Sequence, residues 1–198
     1  MDSDQTAFLR EVLAGTPWFG ECREFAEAMR TAPRNDGGLL LVGTPGEEPW
    51  HLAAHLDTEA GLSGLTRLSP TLVRHAVPLG APPHLSVGLD RLTASRGGEA
   101  VLVVAPDEPG ERLLDRVEYA KRHGATILAL ADADTNDELT GLAHERLLVP
   151  SDGPVPGFDA AQHVLALAAG EAVPLPRGFR DRMARVLDRI SGPAAADW

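Results

Sequence analysis

The chain carries a single cysteine, Cys22, so no disulfide can form within it and its thiol content does not point to an oxidising compartment. Aromatic residues are only 5% of the 198 positions, so a core must be built from aliphatic side chains. No run of about 18 apolar residues occurs, so no membrane-spanning helix is expected. A basic excess is missing as well. The formal net charge is −11, which disfavours a general nucleic-acid partner. The opening residues Met1-Asp-Ser-Asp-Gln-Thr lack the basic-then-apolar order of a signal peptide, and a cytoplasmic location is expected. Cofactor signatures are equally scarce. The turn Gly43-Thr-Pro-Gly46 falls short of G-x-G-x-x-G, the P-loop pattern does not occur, and no serine sits in a nucleophile elbow. No cofactor is expected.

What is present is a clear strand–helix–strand passage between Ala100 and Asp132. Val101 to Val104 form a continuous apolar run, as in a strand covered on both faces. Asp107, Pro109 and Glu111 are residue types that start helices. Leu113, Leu114, Val117 and Ala120 follow at helical spacing, Gly124 stops the helix, and Ala125 to Leu130 is a second apolar run. This is a βαβ unit, and ligands of such sheets bind where strands end and helices begin. Elsewhere, residues 4–14 and 17–32 read as helices, with Phe19, Phe25 and Met29 available to a core. Leu39 to Val42 read as a buried strand, and Trp50 to Leu56 as a helix. The stretch 57–98 is broken by prolines, with short strands expected at Val73–Val77 and His84–Leu89. Glu138–Ala143 suits a short helix, Arg146–Val149 a strand and Phe158–Ala169 a closing helix. Phe179, Met183, Val186, Leu187 and Ile190 give the last segment one apolar helical face, with arginines on the others. That face is expected to pack on its own domain, a dimer mate or another protein rather than on a membrane. The expected divisions are N-terminal helices packed on the core over 1–34, an α/β domain over 35–172 and an amphipathic helix over 173–198.

The order of these elements resembles the sugar isomerase (SIS) domain family over roughly residues 22–170. The resemblance rests on Leu39-Leu-Leu-Val-Gly-Thr-Pro-Gly46, on Val101-Leu-Val-Val-Ala105, and on Val117-Glu-Tyr-Ala-Lys-Arg-His-Gly-Ala-Thr-Ile-Leu-Ala-Leu-Ala-Asp132. Leu142-Ala-His-Glu-Arg-Leu-Leu-Val-Pro150 and Gly157-Phe158 complete it. It implies a three-layer α/β/α sandwich with a mainly parallel, flavodoxin-like sheet, a phosphosugar site at the strand C-termini and a homodimer. Family members that bind sugar phosphates have a serine where Glu47 stands, and a serine- and threonine-rich turn where this chain has Ala105-Pro-Asp-Glu-Pro-Gly110. Hydroxyls donate hydrogen bonds to phosphate without adding negative charge, whereas carboxylates repel it. Two like charges about 5 Å apart at an effective dielectric of about 20 repel by roughly 3 kcal/mol. Lys121 and Arg122, at the far end of their helix, are too distant to compensate. Helix capping offers a structural role for Asp107 and Glu111, and equally for Glu47 and Glu48.

The expected function is therefore binding of a carbohydrate derivative, neutral or cationic, by a non-catalytic regulatory or accessory domain with degraded phosphate loops. Its ligand would meet Gly43, Thr44, Gly46, Glu47, Asp107, Glu108 and Gly110. An active aldose–ketose isomerase is the alternative, with proton transfer by Glu47 and His55 or His163. A structural partner subunit, held through the C-terminal helix, is a third reading. His51 and His55 share a helix face at a spacing that suits a metal if a third ligand arrives. Cys22 is expected to be a buried structural thiol.

Overall fold

The computed structural model describes residues 15–82, 85–134, 137–152 and 157–171. The expected helices at 4–14 and beyond 173 lie outside them. The elements are α1 (Pro17–Thr31), β1 (Leu39–Gly43), α2 (Trp50–Ser63), a 3-10 turn (Thr66–Leu68), β2 (Pro70–Val73), α3 (Asp90–Thr93), β3 (Ala100–Ala105), α4 (Glu111–Arg122), β4 (Thr126–Asp132), α5 (Asp137–Leu142), β5 (Glu145–Val149) and α6 (Phe158–Gly170). The five strands are all parallel, in the order β2-β1-β3-β4-β5. This is the flavodoxin-like order, which reverses direction between β1 and β3.

Alternation of side chains along the strands divides the core into two layers. Leu39, Leu41, Leu102, Val104, Leu128 and Leu130 meet α1, α2 and α6 on one face. Leu40, Val42, Val101, Val103, Ile127 and Ala129 meet α3, α4 and α5 on the other. Every residue of β1 and β3 is buried, which is why both read as unbroken apolar runs. The edge strands β2 and β5 are only partly covered. In α4 the residues Leu113, Leu114, Val117 and Ala120 face the core, and Gly124 ends the turn at φ +89°. Cys22 is fully buried on α1, and burial pushes its thiol up to about 12. No helix among the described residues is long and apolar enough to cross a membrane.

Three expectations are corrected. The strand placed at Val73–Val77 lies earlier, at Pro70–Val73, because an edge strand accepts proline as its first residue. Of the strand placed at His84–Leu89, the described residues 85–89 make one bridge, between Gly88 and Arg74. The helix expected at Trp50–Leu56 continues to Ser63 and stops at Gly64, which takes φ +73°.

The turn after β1 depends on a missing side chain. A Cβ at Gly43 would overlap the Glu47 carbonyl and lie 2.7 Å from Pro49 Cδ, so the chain folds back over this position only because it is glycine. Gly43→Ala is expected to destabilise the fold by about 2–4 kcal/mol, since backbone rather than a flexible side chain must move. Chemical denaturation of the variant checks this.

Candidate functional site

The strand order reverses at the C-terminal ends of β1 and β3, and the turns that follow carry the residues singled out in the sequence. The β1 turn runs Gly43-Thr-Pro-Gly-Glu-Glu-Pro49, held by the Glu47 amide donating to the Thr44 carbonyl (3.2 Å). The β3 turn carries Asp107, Glu108 and Gly110. The fold brings the two turns into contact. A Cβ at Gly46 would stand 2.9 Å from Asp107 Oδ2. Thr44 is fully buried, and its hydroxyl has no hydrogen-bond partner among the described residues. Such a group costs about 1–3 kcal/mol when left unsatisfied.

The capping roles expected for Asp107, Glu47 and Glu48 are not adopted. Gly110 is the N-cap of α4 and Pro49 that of α2, and neither helix receives a side-chain cap. Asp107 therefore lies against Gly46 instead of over its own helix. Only Glu111 sits in the first turn of α4. Glu48 faces a cation that the sequence analysis missed. Arg74, just after β2, donates to Glu48 Oε2 through Nη2 (2.9 Å) and Nε (3.1 Å). Both side chains are mostly covered, at 16% and 22% exposure, so the pair offsets charge at the turn. Trp50 Nε1 also donates to Glu48 Oε2 (2.9 Å), and the Arg74 guanidinium lies 4.7 Å from the Trp50 ring centre. His75 Nε2 donates to the Gly43 carbonyl (2.7 Å), which ties the end of β2 to the β1 turn. The signal that could have found this cluster was the rarity of tryptophan, with one placed directly after a glycine turn.

The histidines form a second group. His55 on α2 and His163 on α6 are brought together by the packing of those helices, with ring centres 4.4 Å apart and planes tilted by 60°. His163 Nδ1 donates to the Asp159 carbonyl (2.9 Å). Burial lowers the pKa of His55 first, and the neighbouring His163 and His51 lower it further. No hydrogen bond or ion pair joins Glu47 to either ring among the described residues. Nor do three His, Cys, Asp or Glu side chains there gather to hold a metal, so the His51 and His55 pair gains no third ligand. A cavity of about 510 Å³ opens where α1 and α6 end, lined by Arg23, Glu24, Glu27, Arg30 and Glu171, and contains none of the turn residues.

No family model and no curated protein matches the sequence. Solved structures do match the fold. The sugar isomerase domain of an RpiR transcription factor from Sphaerobacter thermophilus aligns at TM-score 0.53 and 17% identity, covering 91% of this chain and 92% of that one. The Vibrio vulnificus NanR protein complexed with ManNAc-6P aligns at TM-score 0.51 and 13% identity, covering 94% of this chain and 69% of that one. A longer Salmonella typhimurium chain aligns at TM-score 0.53 and 16% identity, and this chain spans 51% of its length. The chain thus has the fold of the sugar isomerase domain, an α/β sandwich around a five-strand parallel sheet.

A histidine whose folded pKa is depressed favours folding above its unfolded value and disfavours it as pH falls below. The melting temperature of the protein is therefore expected to drop as pH falls from 6.5 through the lower folded value of His55. His55→Gln should flatten that part of the curve; an unchanged slope would show that another group governs it.

Proposed function

We propose that the chain is a non-catalytic ligand-binding domain for an unphosphorylated carbohydrate derivative, acting as a regulatory or accessory protein. The ligand occupies the C-terminal edge of the sheet, against Gly43, Thr44, Gly46, Glu47, Asp107, Glu108 and Gly110. One observation carries the reading: the fully buried Thr44 hydroxyl, unpartnered among the described residues, lies at the strand reversal where sheets of this order bind ligands. Glu47, Asp107 and Glu108 bias the site toward neutral or cationic compounds, while Arg74 offsets only Glu48. The fold's likeness to a sugar isomerase domain and to a protein bound to ManNAc-6P supports a carbohydrate as the ligand class. A cytoplasmic homodimer belongs to this reading.

An aldose–ketose isomerase is the second reading, favoured by the His55 and His163 ring pair. It requires Glu47 to act as base within reach of substrate. Conversion of an aldose to its ketose by purified protein, lost in His163→Ala, would establish it in place of the first.

Thermal stability against glucosamine, N-acetylmannosamine and their 6-phosphates tests the main reading. Saturation at about 100 times the dissociation constant adds roughly 2.7 kcal/mol. Stabilisation by the unphosphorylated sugars alone is expected; stabilisation by the phosphates alone would overturn the reading. Thr44→Val is expected to leave the free protein as stable or about 1 kcal/mol more stable, because it removes an unsatisfied hydroxyl, while abolishing the shift with sugar. The double variant E47S/D107S is expected to gain binding of the 6-phosphates. A folded double variant without that gain would count against the electrostatic account.

A further inference from the structure

Trp50 is held more firmly than its position requires. It is the first residue of α2 and 38% exposed, one of only four large apolar side chains so placed among the described residues. Exposed aromatics usually keep rotamer freedom, but this ring is fixed twice. Its Nε1 donates to Glu48 Oε2 (2.9 Å), and the Arg74 guanidinium lies 4.7 Å from its centre. Glu48 binds Arg74 in turn, so the three side chains close a triangle. His75 fastens the end of β2 to the Gly43 carbonyl, which sets the triangle beside the same turn that holds Thr44. The result is a pre-oriented aromatic surface on the β2 side of the strand reversal, with Asp107 on the β3 side.

Resting on the reading just given, we propose that Trp50 is a specificity-determining binding residue that stacks on the apolar C–H face of a hexosamine ring. Ligand sites join aromatic walls to a few placed polar groups, and a pyranose presents matching features: a flat apolar face rimmed by hydroxyls. The Arg74 guanidinium lies over one face of the indole, so the sugar stacks on the opposite face, where Glu48 at the Nε1 edge offers an acceptor to the hydroxyls. The carboxylates of Glu47, Asp107 and Glu108 favour the protonated amine of a hexosamine over a phosphate. Holding the ring in place before binding lowers the ordering cost that a free tryptophan would add. A nucleobase could use the same aromatic face, but neither the acidic turns nor the chain's net charge of −11 suits a nucleotide's phosphate.

The experiment titrates glucosamine, its 6-phosphate and adenosine into the full chain by calorimetry, alongside tryptophan fluorescence. Wild type is expected to bind glucosamine with a change in emission. Trp50→Phe, which keeps an aromatic face, should bind within about threefold of wild type but without that change. Trp50→Leu, which keeps apolar bulk without the aromatic face, should bind about tenfold more weakly or worse. Unchanged affinity in a folded Trp50→Leu variant, with Thr44→Val still abolishing binding, overturns the role of Trp50 and leaves the site intact. Tighter binding of adenosine than of glucosamine overturns the assigned ligand class. Failure of wild type to bind either sugar overturns both this role and the reading beneath it.

Discussion

The Glu47 carbonyl occupies the space where a side chain at Gly43 would stand, and the C-terminal edge of the sheet is arranged around that contact. With the backbone folded back at this point, Pro49 lies over the glycine and α2 starts at once with Trp50. Glu48 is thereby placed within reach of Arg74 from the neighbouring strand. The Gly43 carbonyl meanwhile takes a hydrogen bond from His75. Two adjacent strands are thus joined at their ends by backbone and side-chain links that no hydrophobic packing alone would specify.

Charge at this edge is distributed less simply than its composition suggests. Four carboxylates lie in the two turns, yet Glu48 is engaged by both a guanidinium and an indole N–H. The rest of the negative charge falls on Glu47, Asp107 and Glu108. Asp107 leans on Gly46 rather than capping α4, so the β3 turn and the β1 turn meet through a carboxylate. Serines in these positions would leave a surface of donors; carboxylates leave a surface of acceptors.

The central strands were legible because burial on both faces leaves no room for polar residues, as in Leu39–Val42 and Val101–Val104. Helix α4 was legible for the opposite reason, since its one apolar face repeats at a helical period. The edge strand β2 was misplaced because half-burial blurs its pattern, and because Pro70 reads locally as a breaker rather than as the first residue of an edge strand. Helix capping was the local expectation for Asp107, and a contact with a turn about sixty positions earlier in the chain displaced it. The Trp50, Glu48 and Arg74 cluster depends on the register of β1 against β2, which a single sequence does not encode locally. Legibility therefore stopped where side chains answer to partners on other strands.

Helix α1 bears on where this domain can be cut. Trp18 Nε1 donates to the Leu148 carbonyl on β5 (2.8 Å), and Arg30 Nη1 donates to the Ala168 and Ala169 carbonyls at the end of α6 (2.7 and 3.2 Å). Between these ties, Cys22, Phe25 and Met29 fill the core. A fragment beginning after the loop at residues 33–38 would open that layer and strip three carbonyls of their donors. The helix before the sheet and the sheet itself therefore share one core layer, and a boundary drawn at the first strand would run through it.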